Sequence, residues 1–274
     1  MPKASDFKPD QRLFALFVSR SGDGKSTSAA SWGSVGRYFE MDFDLRFGGI
    51  HGAIQQKIIS GENVEYQQFH PRNGWKAADE LLQQWEIHRI SGTFPYKTIG
   101  VGSATSLARL FVNTSHQLQK GRVLGPVDKD GIPKAGALRI SGPGDFNFEV
   151  SGIHQFLDYL KAYPCNVIVT AHIIDKWGKP RNEDGTLKEE TQFASNVVVG
   201  EKLALRDQVG ETILSVFDNV FRFSREEVGN QLKYYVEFAT DLAKNSYGIK
   251  PKRYDITNQN FYEFFQKLRN GEIK

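Results

Sequence analysis

Nine consecutive residues carry the clearest chemistry in this 274-residue chain: Ser19-Arg20-Ser21-Gly22-Asp23-Gly24-Lys25-Ser26-Thr27. Gly22 and Gly24 let the backbone turn so that amide hydrogens converge on phosphate oxygens. Lys25 supplies a point charge within reach of β- and γ-phosphates, and the Ser26 hydroxyl is a ligand type suited to Mg²⁺. Ser21, Asp23 and Thr27 complete the set of expected nucleotide contacts. The first position of the usual pattern is glycine, and here it is Ser19. The plain alternative is a Gly/Ser turn with an incidental lysine, and the flanks decide against it. Leu13 to Val18 is a continuous apolar run, as a strand buried on both faces requires. Residues from Lys25 to about Trp32 read as a helix, whose start adds partial positive charge. ATP is the expected nucleotide, with Mg²⁺ as its metal.

Other chemistry-bearing residues lie at the ends of further strands. Tyr38 to Asp44 reads as a second strand with Glu40, Asp42 and Asp44 alternating along one face. Thr98-Ile99-Gly100-Val101 reads as a third, and Asn166 to Thr170, followed by Ala171-His172, as a fourth. Helical spacing marks Ile50 to Ser60, Trp75 to Trp85, Leu107 to Phe111, Ile153 to Leu160 and Phe261 to Leu268. Residues 121–145 are rich in Gly and Pro and form a long loop or a hairpin. A second polar loop is expected from about Ile173 to Asn196. Val216 to Phe223 and Leu232 to Thr240 look like an antiparallel meander. Strands alternating with helices give an α/β fold, with a mostly parallel sheet flanked by helices and antiparallel strands at the C-terminal end. Residues 1–11 read as a flexible lead-in and 12–274 as one domain.

Composition narrows the function classes. Hydrophobic residues make up 39% and charged residues 24%, with a net charge of +3. So mild a charge does not itself imply nucleic acid, and any basic surface must be local. The single cysteine, Cys165, cannot form an intrachain disulfide and reads as a small core residue, in keeping with a reducing compartment. There is no signal-peptide pattern and no membrane-length apolar run, so a cytoplasmic protein with no membrane partner is expected.

With its loop, strand order and strand-end residues, the chain resembles RecA-like P-loop ATPases from about Leu13 to Ile256. More narrowly it resembles the phage ATP-binding proteins of the Sak type, linked to single-strand annealing and recombination. That resemblance implies an acid that polarises the attacking water. Asp44 is the first choice and Asp42 the second, with Glu40 behind them; solvated strand-end acids are the alternative. His172 would sense the terminal phosphate, unless it is a structural histidine. The family places a metal-orienting aspartate where this chain has Gly102; either another acid supplies that charge, or hydrolysis is weak or absent.

The two long loops would contact single-stranded DNA. The first brings Arg122, Lys129, Lys134 and Arg139, and the second Lys176, Trp177, Lys179 and Arg181. Interspersed acids leave a merely solvated loop as the alternative. Lys244-Asn245 matches part of a motif whose lysines reach a neighbouring subunit's nucleotide, and Ser246 departs from it; the alternative is a surface turn. The implied function is a recombination or repair protein that binds ATP and single-stranded DNA and forms homo-oligomers, filament or ring. In an infected cell it would work in the host cytoplasm. A non-hydrolysing scaffold and a ring-type helicase-like motor are the rivals.

Overall fold

The computed structural model describes residues 12–71, 74–118, 123–124, 129, 138–139, 141–179 and 197–273. The apolar run after Leu13 forms β1 (Phe14–Ser19), and the glycine loop leads into α1 (Lys25–Ala30). There follow β2 (Tyr38–Asp42), α2 (Gly48–Gln55), β3 (Val64–Gln68), α3 (Gly74–Ile90), β4 (Thr98–Gly102) and α4 (Ala104–Leu118). The Gly/Pro-rich segment contains a short antiparallel pair, β5 (Val123–Leu124) with β6 (Leu138–Arg139), the hairpin of the two alternatives. The chain continues through α5 (Pro143–Ala162), β7 (Asn166–Gly178), β8 (Val197–Leu203) and α6 (Asp207–Val216). It ends with β9 (Asn219–Val228), β10 (Gln231–Glu237), β11 (Arg253–Asp255) and α7 (Phe261–Arg269).

One nine-stranded sheet organises these elements, in the order β11-β10-β9-β1-β7-β4-β2-β3, with β8 paired to β7. The six strands from β9 to β3 run parallel, and β10, β11 and β8 are antiparallel to their neighbours. This is the expected α/β class. Alternation along each strand divides the apolar residues between two cores. Leu16, Val18, Met41, Val101 and Val169 pack against α3, α4 and α5. Phe17, Tyr38, Ile168 and Phe221 pack on the other face with Trp32 and α7. In α7, Phe261, Phe264, Phe265 and Leu268 recur every three or four residues and form one buried stripe. Asn260 caps its start by accepting the Glu263 N–H.

Parallel register levels the strand ends that matter. Ser19 lies opposite His172, Gly102 opposite Thr170, and Asp42 opposite Gly102. The C-terminal ends of β1, β4 and β2 therefore form one rim, level with His172 in β7, where ligands of open α/β sheets bind.

Three expectations are corrected. The second long loop does not begin at Ile173: β7 runs on for 13 residues in all, because β8 returns and pairs its backbone from Ile173 to Gly178. The polar residues Asp175 and Lys176 hid this strand, since a two-stranded ribbon in solvent needs no apolar run. β9 is not purely part of a meander, because its first half pairs parallel with β1. The helix expected over Ile50 to Ser60 spans Gly48–Gln55 instead, and Lys57 just beyond adopts a left-handed φ of 57°. Cys165 is buried, and burial pushes its thiol up to about 12, as for an inert core residue. Among the described residues no helix is long and apolar enough to cross a membrane.

Candidate nucleotide site

The loop between β1 and α1 turns on two glycines, Gly22 and Gly24, both at φ +86°, where a side chain would be strained. Neighbouring strands cover it closely. A side chain at Gly22 would meet the Arg225 guanidinium at 3.1 Å, and one at Gly24 the Tyr234 ring at 3.2 Å. Asp23 folds inward, accepts the Arg20 N–H at 3.1 Å and stands 3.5 Å from Arg225 Nε. This contact ties the loop to β9. Arg20 also pairs with Asp175 on β7, and Arg222 joins Glu201 on β8 to Glu237 on β10. These charges lie near solvent and individually contribute little to stability, ~1 kcal/mol at most.

Lys25 is buried, and its Nζ lies 3.1 Å from His172 Nδ1. Burial lowers its ammonium to about 8, a shift that Asp44 and Asp23 partly offset. On the far side of the imidazole, His172 Nε2 is 3.9 Å from Asp44 Oδ2. Asp44 is placed by the end of β4: its N–H and that of Phe43 both bond the Gly102 carbonyl, and Ser103 donates to its carboxylate at 2.9 Å. Burial pushes the Asp44 carboxyl up, but His172 and the Ser106 and Ser103 hydroxyls outweigh it and hold the group at about 2.

These groups line a pocket of about 770 Å³, a size suited to a small-molecule ligand. Ser21, Gly22, Gly24, Lys25, Ser26 and Thr27 of the loop line it, together with Asp44 and His172. A further part of the wall consists of Tyr234, Ile256, Phe261 and the amide side chains of Asn258 to Asn260. Nothing in the linear sequence marks that wall, because it forms only when β10, β11 and α7 fold back over the loop.

The three strand-end acids separate. Only Asp44 lines the pocket. Asp42 is buried, accepting the Arg46 N–H at 3.2 Å and the Gln68 amide at 2.9 Å, so it is occupied as a structural acceptor rather than placed as a base. Glu40 lies deeper, hydrogen-bonded by the Tyr38 hydroxyl at 2.6 Å. Burial pushes its carboxyl up to about 8, with Tyr38 opposing and Asp42 and Asp44 adding to the rise.

Lys244 is exposed, forms a bridge with Val220, and does not line this chain's own pocket. Asn245 fixes the adjoining turn by donating to the Phe238 and Ile249 carbonyls, and Ser246 donates to Asn219. The turn alternative therefore accounts for Asn245. Lys176 and Trp177 are exposed on the β7–β8 ribbon, and Lys179 follows it half-buried. Lys129 is exposed. Arg139 belongs to β6, while Arg122, Lys134 and Arg181 lie outside the described residues.

Fold and loop together define the class: an α/β core whose phosphate-binding type of loop follows its first strand. No protein-family model matches the chain, and no curated protein matches it. Among solved structures, a KaiC-like protein from the hyperthermophilic archaeon Pyrococcus horikoshii is similar over 90% of this chain and 86% of its own. The identity is 12% and the TM-score 0.45.

Proposed function

We propose that the chain is a RecA-like ATP-binding protein with weak ATPase activity. The observation that carries this reading is Lys25, a buried lysine lining a pocket together with its own glycine loop. Loop amides and the Lys25 ammonium receive the phosphates. Tyr234, Ile256 and Phe261 suit a flat apolar base, and the adjacent amides suit its polar edge. Ser26 lines the pocket within reach of the same phosphates and fits the role of Mg²⁺ ligand. When bound, Mg²⁺ neutralises charge on the phosphates. Asp44, held ionised, orients an attacking water; a carboxylate of so low a pKa is a poor proton acceptor, consistent with slow turnover. His172 lies between Lys25 and Asp44, which supports its role as a donor to the terminal phosphate.

On the same reading single-stranded DNA docks on the β7–β8 ribbon, where Lys176 offers charge and Trp177 a stacking face. Copies of the chain assemble with Lys244 directed at a neighbour's nucleotide, in cytoplasmic recombination or repair of phage DNA. Exposure of Lys244 away from its own pocket supports that arrangement. Titration with a fluorescent ATP analogue tests the core of the proposal. Displacement by ATP and by inorganic triphosphate is expected; displacement by adenosine but not by triphosphate contradicts a site built around phosphate.

A further inference from the structure

Two glycines on β4 make room for one carboxylate from β2. The register sets Glu40 opposite Gly100 and Asp42 opposite Gly102. A Cβ on Gly100 would run into the Tyr38 hydroxyl and the Glu40 carboxylate. One on Gly102 would lie 2.6 Å from Glu40 Oε1 and 3.9 Å from Thr170 Oγ1. The Glu40 carboxyl group thus fills the volume that a side chain at position 102 would enter.

The orientation of that carboxylate is fixed. Tyr38 donates to Oε2, which leaves Oε1 toward Gly102. Glu40 is buried, with 9% exposure where Tyr38 beside it has none, and Gly102 at the end of β4 is half-buried. Adjacent strands lie about 4.8 Å apart. Glutamate, one methylene longer than aspartate, spans that gap from β2 to the end of β4.

A P-loop site holds its metal through the loop hydroxyl, the phosphates and one strand-end carboxylate that orients metal-bound water. We infer that Glu40 is that carboxylate, delivered from the neighbouring strand into the Gly102 position. The missing side chain at 102 is then an accommodation of Glu40 and not the loss of a metal-orienting acid. This inference rests on the nucleotide reading above and adds the positioning residue for its metal. Burial favours the protonated Glu40 carboxyl up to about 8, and the charge of a bound metal would favour its ionised form; Glu40 would act through bound water, touching neither nucleotide nor the reacting atoms.

The test measures affinity for an ATP analogue in chelator and in Mg²⁺, and reads the ratio of the two. In Glu40→Gln, which keeps the size and the Tyr38 contact, the Mg²⁺ enhancement should fall about ten- to a hundredfold, as on loss of a partner orienting metal ligands. The double variant Glu40→Ala/Gly102→Asp, with space cleared for the new aspartate, should regain much of it. Gly102→Asp alone should gain nothing, since the new side chain crowds Glu40 and two like charges raise a pKa instead of recruiting metal. Direct Mn²⁺ titration followed by paramagnetic resonance should rank the variants in the same order. Full Mg²⁺ enhancement in Glu40→Gln, or a gain in Gly102→Asp alone, overturns the assignment and leaves the nucleotide reading standing. Absence of nucleotide binding by the unmodified protein, with or without metal, overturns both.

Discussion

The ammonium of Lys25 stands 3.1 Å from Nδ1 of His172, and the other ring nitrogen of His172 faces Asp44 at 3.9 Å. One imidazole thus stands between the loop lysine and the acid two residues beyond β2. On the proposed reading, a phosphate in the loop would compete with His172 for Lys25, and so would be coupled to β7, the strand that continues into the exposed ribbon.

If the loop binds phosphate as proposed, the Lys25 ammonium should make that binding pH-dependent. Burial holds the Lys25 ammonium at about 8, well below the ordinary lysine value of 10.5. Phosphates favour the charged form and raise that value in the complex. Binding therefore takes up a proton above about pH 8, and affinity should fall as pH rises through that value. Calorimetric titration from about pH 7 to about pH 9.5 checks this. Lys25→Arg, whose guanidinium stays protonated, should flatten the decline. A level profile for the unmodified protein would place the lysine outside the binding step.

The ribbon should carry the salt-dependent part of DNA binding. Each phosphate neutralised on a single strand contributes about 0.7 to the slope of log affinity against log salt. Replacing Lys176 and Lys179 with alanine should flatten that slope by about 1.4 if both meet phosphates. Trp177→Ala should weaken binding by about 1–3 kcal/mol through lost stacking. Arg20 links the nucleotide loop to Asp175 on the ribbon, so DNA should bind more tightly with ATP than without. An unchanged slope in the double variant would assign the ribbon to another partner.

Much of the fold was legible because its core strands are uniformly apolar. Leu13 to Val18 and Asn166 to Thr170 announce strands buried on both faces, and the loop after the first announces the site. What the sequence concealed was structure held by pairing instead of burial. β8 reads Val-Val-Val-Gly-Glu-Lys-Leu and lies mostly in solvent, so only its partnership with β7 makes it a strand. The site was legible in its loop, Asp44 and His172. Tyr234 and Arg225 were not, since only antiparallel folding of β9 and β10 brings them over Gly24 and Gly22. Alternation also grouped Asp42 with Asp44, whereas β2 ends at Asp42 and the chain turns, sending the two acids to different partners.

Assembly should depend on Lys244 more than nucleotide binding does. The residue is exposed and is not part of its own pocket's lining, so on the proposed reading its contribution arises only when a neighbour presents a nucleotide. Sedimentation of Lys244→Ala with a non-hydrolysable ATP analogue should show impaired assembly, with affinity in dilute subunits close to that of the unmodified protein. Unimpaired assembly would leave Lys244 as a residue of the surface turn.

The central claim is that the loop from Gly22 to Thr27 binds the triphosphate through Lys25. Equilibrium binding of a labelled ATP analogue to the unmodified protein and to Lys25→Ala, both checked for an intact thermal transition, tests it most directly. Lys25→Ala removes a buried charge from the pocket lining and should leave a folded protein whose binding of the analogue is abolished. Equal affinity in the two proteins would contradict the phosphate-loop assignment and every functional conclusion built on it.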